Sequence, residues 1–200
     1  MTSASVDLAP EPTADCGRLI VVLGPSGSGK DTLMSQARRA LEQHESVLFV
    51  RRAITRPADA GSEDHVSMSE TEFDTALDAG EFSLTWSANG LRYGLPREMV
   101  DHLAKGKVAV VNGSRAVWET IRSVFPTAFA VEIRVDRDVL AQRLEARGRE
   151  SRSEIAARLE RAGALEHSFE ADHVIDNSGS ADVAGSELVS VIRSALQRAA

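Results

Sequence analysis

The stretch Leu19-Ile20-Val21-Val22-Leu23, followed without a break by Gly24-Pro25-Ser26-Gly27-Ser28-Gly29-Lys30-Asp31-Thr32, decides how this chain folds. Five consecutive apolar residues bounded by glycine read as a strand buried on both faces. From Asp31 to Gln43 apolar residues recur at Leu33, Met34, Ala37 and Leu41, with Arg38, Arg39 and Glu42 between them, which is the spacing of an amphipathic helix. The glycine-rich segment therefore lies between a strand and a helix. In that place Gly24 to Lys30 satisfies the pattern G-x-x-x-x-G-K of a phosphate-binding loop. Its glycines let successive backbone N–H groups turn inward, the helix that follows aims its positive end at the same point, and Lys30 reaches the β- and γ-phosphates. Residues 24 to 32 are thus the expected nucleotide-binding set, with ATP as the ligand.

Working outward, short apolar runs at 47–50, 108–111, 128–135 and 173–175 read as further strands. Helical patterns separate them at 96–105, 116–125, 139–147, 153–170 and 182–198. Strands alternating with helices imply a parallel sheet with right-handed crossovers. The expected fold is α/β: a P-loop kinase three-layer sandwich with a parallel sheet of about five strands. Residues 1–16, rich in Ser, Ala, Pro, Asp and Glu, read as a disordered leader rather than a signal peptide, ahead of one domain over 17–200.

Two segments break the alternation. Residues 51–95 open with basic residues, pass through the polar stretch 59–65 and a short helix-like run at 70–79, and return through an Asn89-Gly90 turn. They read as an inserted acceptor-binding subdomain. Residues 143–161 hold six arginines, at 143, 147, 149, 152, 158 and 161, around a break at Gly148, and Ser151 with Glu154 forms a capping box that starts a new helix. A helix, a glycine and a second helix are the parts of a hinged lid. Arg143 and Arg147 share a helical face, and closure would bring them with Arg158 over the transferring phosphate as catalytic groups beside Lys30. Arg149, Arg152 and Arg161 read instead as solvated partners of nearby glutamates.

Asp31 stands where Ser or Thr normally touches Mg²⁺, with Thr32 one place later. Asp31 either holds Mg²⁺, directly or through water, or is a first-turn acid favoured by the helix dipole.

Composition sets outer bounds. The chain has 200 residues, 42% of them apolar, and a net charge of −7, which argues against nucleic acid or a membrane surface as partner. Its 23 basic residues divide into 20 arginines and three lysines, and arginine is the side chain that holds phosphate oxygens bidentately. The single cysteine, Cys16, forms no internal disulfide, and a cytoplasmic setting is expected. The composition carries no sign of oligomeric state.

Several segments together resemble the guanylate-kinase-like group of nucleoside monophosphate kinases over roughly residues 18–198. The loop at 24–31, Ile54-Thr55-Arg56-Pro57 followed by Gly61 and Glu63-Asp64-His65, Gly90-Leu91-Arg92-Tyr93-Gly94, and Val111-Asn112-Gly113-Ser114-Arg115 are most similar to the branch of ribose 1,5-bisphosphate phosphokinases. The resemblance implies transfer of the ATP γ-phosphate to a phosphorylated sugar, giving 5-phosphoribosyl 1-diphosphate (PRPP), in phosphonate use by the carbon–phosphorus lyase route. It places the lid arginines on Arg143, Arg147 and Arg158 and the acceptor-phosphate pair on Arg56 and Tyr93. The sequence departs from guanylate kinases at Asp59, where they carry a second phosphate-binding arginine. It departs again at His65 in place of a tyrosine, near Leu84 in place of a base-reading glutamate, and at Asn112 in place of an acid. Arg52, Asn112, Ser114, Arg115 and His65 complete the expected acceptor site, with Asp59, Glu63 or Asp64 facing sugar hydroxyls and Asn177 facing the adenine. Two other readings stay open: an ordinary nucleoside monophosphate kinase, and a non-catalytic binding module of the same fold.

Overall fold

The computed structural model describes residues 4–5, 17–57, 63–148, 151–164 and 169–199. Along the chain run β1 (Ala4–Ser5), β2 (Arg18–Leu23), α1 (Lys30–Ala40) and β3 (Val47–Phe49). There follow β4 (Ala53–Ile54), β5 (Val66–Ser67), α2 (Glu70–Asp78), β6 (Phe82–Ala88) and β7 (Leu91–Pro96). The remainder alternates as α3 (Glu98–Ala104), β8 (Val108–Asn112), α4 (Trp118–Val124), β9 (Phe129–Arg134), α5 (Arg137–Arg147), α6 (Arg152–Ala164), β10 (His173–Asp176) and α7 (Ala181–Ala199).

β2 explains the main sheet. Alternate residues of a strand face opposite sides, and here both sides are covered. Ile20 and Val22 pack with Leu33 and Ala37 of α1 and with Leu188 and Ile192 of α7. Leu19, Val21 and Leu23 pack with Met99, Leu103, Trp118 and Ile121 from α3 and α4. The apolar run is continuous because neither face of the strand meets water. All five strands expected from the sequence are present and parallel, in the order β10-β9-β2-β8-β3. The chain extends to one side of β2 and then to the other, so the crevice at the carboxyl end of β2, where the order reverses, is the natural ligand site.

The 53–96 segment builds a second, mixed sheet of order β1-β6-β7-β4-β5. Asn89 (φ 53°) and Gly90 (φ 75°) make the tight hairpin turn expected of that dipeptide. A capping box starts α2, with the Ser69 N–H donating to Glu72 at 2.7 Å and the Glu72 N–H to Ser69 at 3.2 Å. Phe73 then stacks on Phe82 at 4.7 Å between ring centres, fixing the helix to the sheet.

Some boundaries differ from the sequence reading. The helix expected at 116–125 opens with a 3-10 turn at Arg115–Val117, and α6 ends at Ala164, while residues 165–168 lie outside the described set. Most of 1–16 also lies outside it, and Ala4–Ser5 pairs antiparallel with Trp86 and Thr85. Among the described residues no helix is long and apolar enough to cross a membrane.

The 143–161 segment is two helices around Gly148 (φ 60°), as expected, and Glu154 accepts from the Ser151 N–H at 2.7 Å. Its first half, however, is anchored. Leu140 and Leu144 of α5 are buried with Ile155 of α6, and a Cβ built on Gly27 would lie 2.9 Å from Leu140 Cδ1. α5 is thus part of the wall of the phosphate loop, and α6 packs on it through Ile155.

Candidate active site

The phosphate loop emerges at the carboxyl end of β2 and is held from three sides. Gly27 (φ 96°) and Gly29 (φ 90°) adopt left-handed backbone that side chains resist. The contacts are equally restrictive, since a Cβ on Gly29 would stand 2.5 Å from Asn177 Nδ2. That same Nδ2 donates to the Ser28 carbonyl at 2.7 Å. Asn177 is 1% exposed, and its amide serves the loop rather than facing a base as the sequence reading expected. Lys30 Nζ donates to the carbonyls of Gly24 (2.9 Å) and Pro25 (3.0 Å). Burial lowers the Lys30 pKa from 10.5 to about 8, against the opposing pull of the Asp31 carboxylate.

Asp31 lies in the first turn of α1, and Asn112 Nδ2 donates to its Oδ1 at 2.9 Å. Both line a cavity of about 460 Å³ together with Lys30, Thr32, Arg56 and Tyr93. A second space of about 590 Å³ adjoins it, and Ser26, Arg56, Tyr93, Ser114 and Arg158 line both. The phosphate loop and the second sheet therefore face each other across one continuous opening.

On the far wall, Arg52 is 6% exposed and grips Glu63 with two hydrogen bonds, Nε to Oε1 at 2.8 Å and Nη2 to Oε2 at 2.7 Å. Its guanidinium lies 5.2 Å from the centre of the Tyr93 ring, which stacks on Trp86. The pair stiffens the wall, and Arg52, Glu63 and Arg56 all line the first space. Arg56 Nη2 is 3.8 Å from Glu63, and its Nε is buried without a hydrogen-bond partner among the described residues.

Other expected residues stand differently. His65 is buried, and its ring nitrogens lie 2.9 Å from the Glu63 carbonyl and 3.2 Å from that of Arg56, so it braces the wall from behind and lines neither space. Arg115 lines the second space from below, with Nη1 3.8 Å from the buried Glu132. Asp59 lies outside the described residues. Arg158 Nη1 donates to Ser26 Oγ at 2.7 Å, which lays α6 across the loop. Arg143 lines neither space, and the Arg147 side chain lies outside the described set.

Sequence reasoning missed Glu132. It is 2% exposed on β9, accepts from Arg134 Nε at 2.8 Å, and lines a third cavity of about 490 Å³ with Pro25, Arg115 and Asp176. The signal was a lone carboxylate inside the apolar run at 129–133.

The guanylate kinase family model matches residues 16–195. The chain belongs to the guanylate kinase family. Within that family it is 44% identical over 176 residues to ribose 1,5-bisphosphate phosphokinase PhnN of Agrobacterium fabrum, covering 88% of this chain and 96% of that protein. The protein of the same name from Thiobacillus denitrificans is 44% identical over 179 residues, covering 90% and 94%. That from Brucella melitensis is 48% identical over 163 residues, covering 82% and 85%. Among solved structures, a guanylate kinase from Anaplasma phagocytophilum superposes with a TM-score of 0.66 at 19% identity, over 90% of this chain and 86% of its own, a likeness of fold.

Proposed function

We propose that this guanylate-kinase-family enzyme transfers the γ-phosphoryl group of ATP to ribose 1,5-bisphosphate, giving PRPP and ADP. The observation that carries the reading is the identity of 44 to 48% with ribose 1,5-bisphosphate phosphokinases over most of both chains. The geometry supports it: the phosphate loop with Lys30 faces Arg56 and Tyr93 across one opening.

The chemistry asks for alignment and charge cancellation. An oxygen of the acceptor's 1-phosphate is already anionic, so it forms its bond to the γ-phosphorus without a general base, while the bond to the bridging β-oxygen breaks and ADP carries that electron pair away. In this reading the backbone N–H groups of residues 24–32 and Lys30 hold the triphosphate. Arg56 and Tyr93 hold an acceptor phosphate, and Ser114 and Arg115 address the sugar or its second phosphate. Arg158 covers the transferring group, joined by Arg143 and Arg147 if α5 repacks with nucleotide bound. Residues 51–95 then act as the acceptor-binding subdomain and 143–161 as the lid. ATP chemistry of this kind fits a cytoplasmic setting.

The oxygen donors at Asp31 and Thr32 suit a hard cation. Mg²⁺ is usually held by one or two carboxylates together with phosphate oxygens and water. Held at Asp31, it would neutralise charge on the triphosphate.

The test presents the purified chain with ATP and, separately, ribose 1,5-bisphosphate, GMP and other nucleoside monophosphates, with ADP release as readout. Turnover is expected on the bisphosphate. Turnover on GMP with none on the sugar overturns the reading.

A further inference from the structure

Two positions of this site carry each other's usual chemistry. In P-loop phosphotransferases a hydroxyl after the loop lysine and a carboxylate from a neighbouring strand together hold the divalent ion. Here the residue after Lys30 is the carboxylate Asp31, and the strand end beside the loop carries the amide Asn112. β8 is hydrogen-bonded to β2 with Asn112 opposite Val22, so the amide stands level with the start of the loop. Asn112 is 7% exposed, and its Nδ2 donates to Asp31 Oδ1 at 2.9 Å. The two residues are 81 positions apart, and the hydrogen bond makes their departures from the usual pattern a single feature.

We propose that Asp31 and Asn112 are a reciprocal exchange: the carboxylate of the metal-binding pair has moved from β8 to the first turn of α1, and Asn112 is the positioning residue that aims it. The inference rests on Asp31 as an oxygen ligand for Mg²⁺. The electrostatics favour the arrangement. At the helix N-terminus a carboxylate meets the positive end of the dipole. An amide on β8 satisfies one of its oxygens and adds no charge, whereas carboxylates at both positions would repel at contact distance. A hydroxyl at 31 with an amide at 112 would leave no carboxylate at either position, with Glu63 on the facing wall the next one lining the cavity. Exchange at both positions keeps one carboxylate beside the loop and avoids the repelling pair.

The test measures binding of Mn²⁺ with ADP by electron paramagnetic resonance, alongside ADP binding without metal and thermal unfolding, on full-length Asp31→Ser, Asn112→Asp, Asn112→Ala and the double variant Asp31→Ser/Asn112→Asp. Asp31→Ser and Asn112→Ala are expected to weaken Mn²⁺ about 10-fold, the scale of losing a metal's ligand support, while metal-free ADP binding in Asp31→Ser does not weaken, since a negative charge beside the phosphates has been removed. Asn112→Asp alone is expected to bind Mn²⁺ no more tightly than the parent, so recovery of the double variant to within about threefold of the parent is a coupling that independent sites do not show. Losses that simply add in the double variant overturn the exchange. Unchanged Mn²⁺ affinity in Asp31→Ser overturns the Asp31–metal reading as well. If the double variant does not fold, Asn112→Ala decides alone: full Mn²⁺ affinity there sinks the positioning role. None of these readouts involves the acceptor, so they stand or fall separately from the choice of sugar.

Discussion

The Asn177 side-chain amide donates to the Ser28 carbonyl at 2.7 Å, tying the residue after the last strand of the sheet to the loop after β2, 149 positions earlier. Its backbone N–H is also engaged, donating to Arg134 at 2.8 Å, so the clamp is anchored in β9. Asn177→Leu keeps the volume and leaves the Ser28 carbonyl without this donor, a loss of about 1–3 kcal/mol. Asn177→Asp offers an acceptor to an acceptor and is expected to do no better. The unfolding midpoint should fall in both variants and KM for ATP should rise. Parent-like values in Asn177→Asp would show that the amide donor is dispensable.

Gly27 meets two constraints at once, its φ of 96° and the approach of Leu140. Gly27→Ala should raise KM for ATP and lower kcat, with a backbone cost of about 1–2 kcal/mol. Adding Leu140→Ala relieves the closest contact but leaves Leu144 Cδ2 at 3.0 Å and the backbone strain. Partial recovery of ATP affinity in the pair, measured by calorimetry, is the expected result.

Lys30 should make nucleotide binding proton-linked. Its folded pKa of about 8 lies below the unfolded 10.5. Between those values the unfolded chain binds more protons, so this group makes the ligand-free protein more stable as pH rises through that window and adds no slope below it. Phosphate oxygens favour the charged amine and raise the pKa again. Binding of ATP near pH 8.5 should therefore take up protons, seen as a dependence of the binding enthalpy on the ionisation enthalpy of the buffer. The dependence should vanish in Lys30→Met.

Arg158 reaches the loop from α6, and its removal should cost catalysis more than stability. Arg158→Ala is expected to lower kcat about 100-fold or more, the scale of one lost charge-stabilising donor. The unfolding midpoint should stay within a degree or two of the parent, since an exposed cross-loop contact contributes little, ~0–1 kcal/mol. An unchanged kcat would remove Arg158 from the transferring phosphate.

Glu63 holds the buried Arg52 by two hydrogen bonds and is itself mostly buried. Glu63→Gln strands the guanidinium and should destabilise by about 3 kcal/mol, the usual cost of breaking a buried pair from one side. With the wall loosened, KM for the acceptor should rise further than KM for ATP. Equal shifts would assign Glu63 to folding alone.

The two kinds of information divide along physical lines. The strands, the phosphate loop and the helix after it were legible because each depends on local pattern: a continuous apolar run, glycines where the backbone must turn, a 3.6-residue period. The hairpin at Asn89-Gly90 and the capping box at Ser151 were legible for the same reason. The roles of Asn177, His65 and Glu132 were not, because a polar side chain's role depends on what lies across the cleft. His65 has a substrate-facing position in sequence, yet its ring is turned to the carbonyls of Glu63 and Arg56.

By itself the sequence determined a P-loop fold and a phosphate-binding loop, since backbone geometry and burial periodicity are written in consecutive residues. Only the tertiary structure showed that α5 packs against the phosphate loop and that Arg52 is tied to Glu63. It alone brought the Asn112 amide to Asp31. Each of these is a contact between segments far apart in the chain, created when the sheet and its helices close around β2.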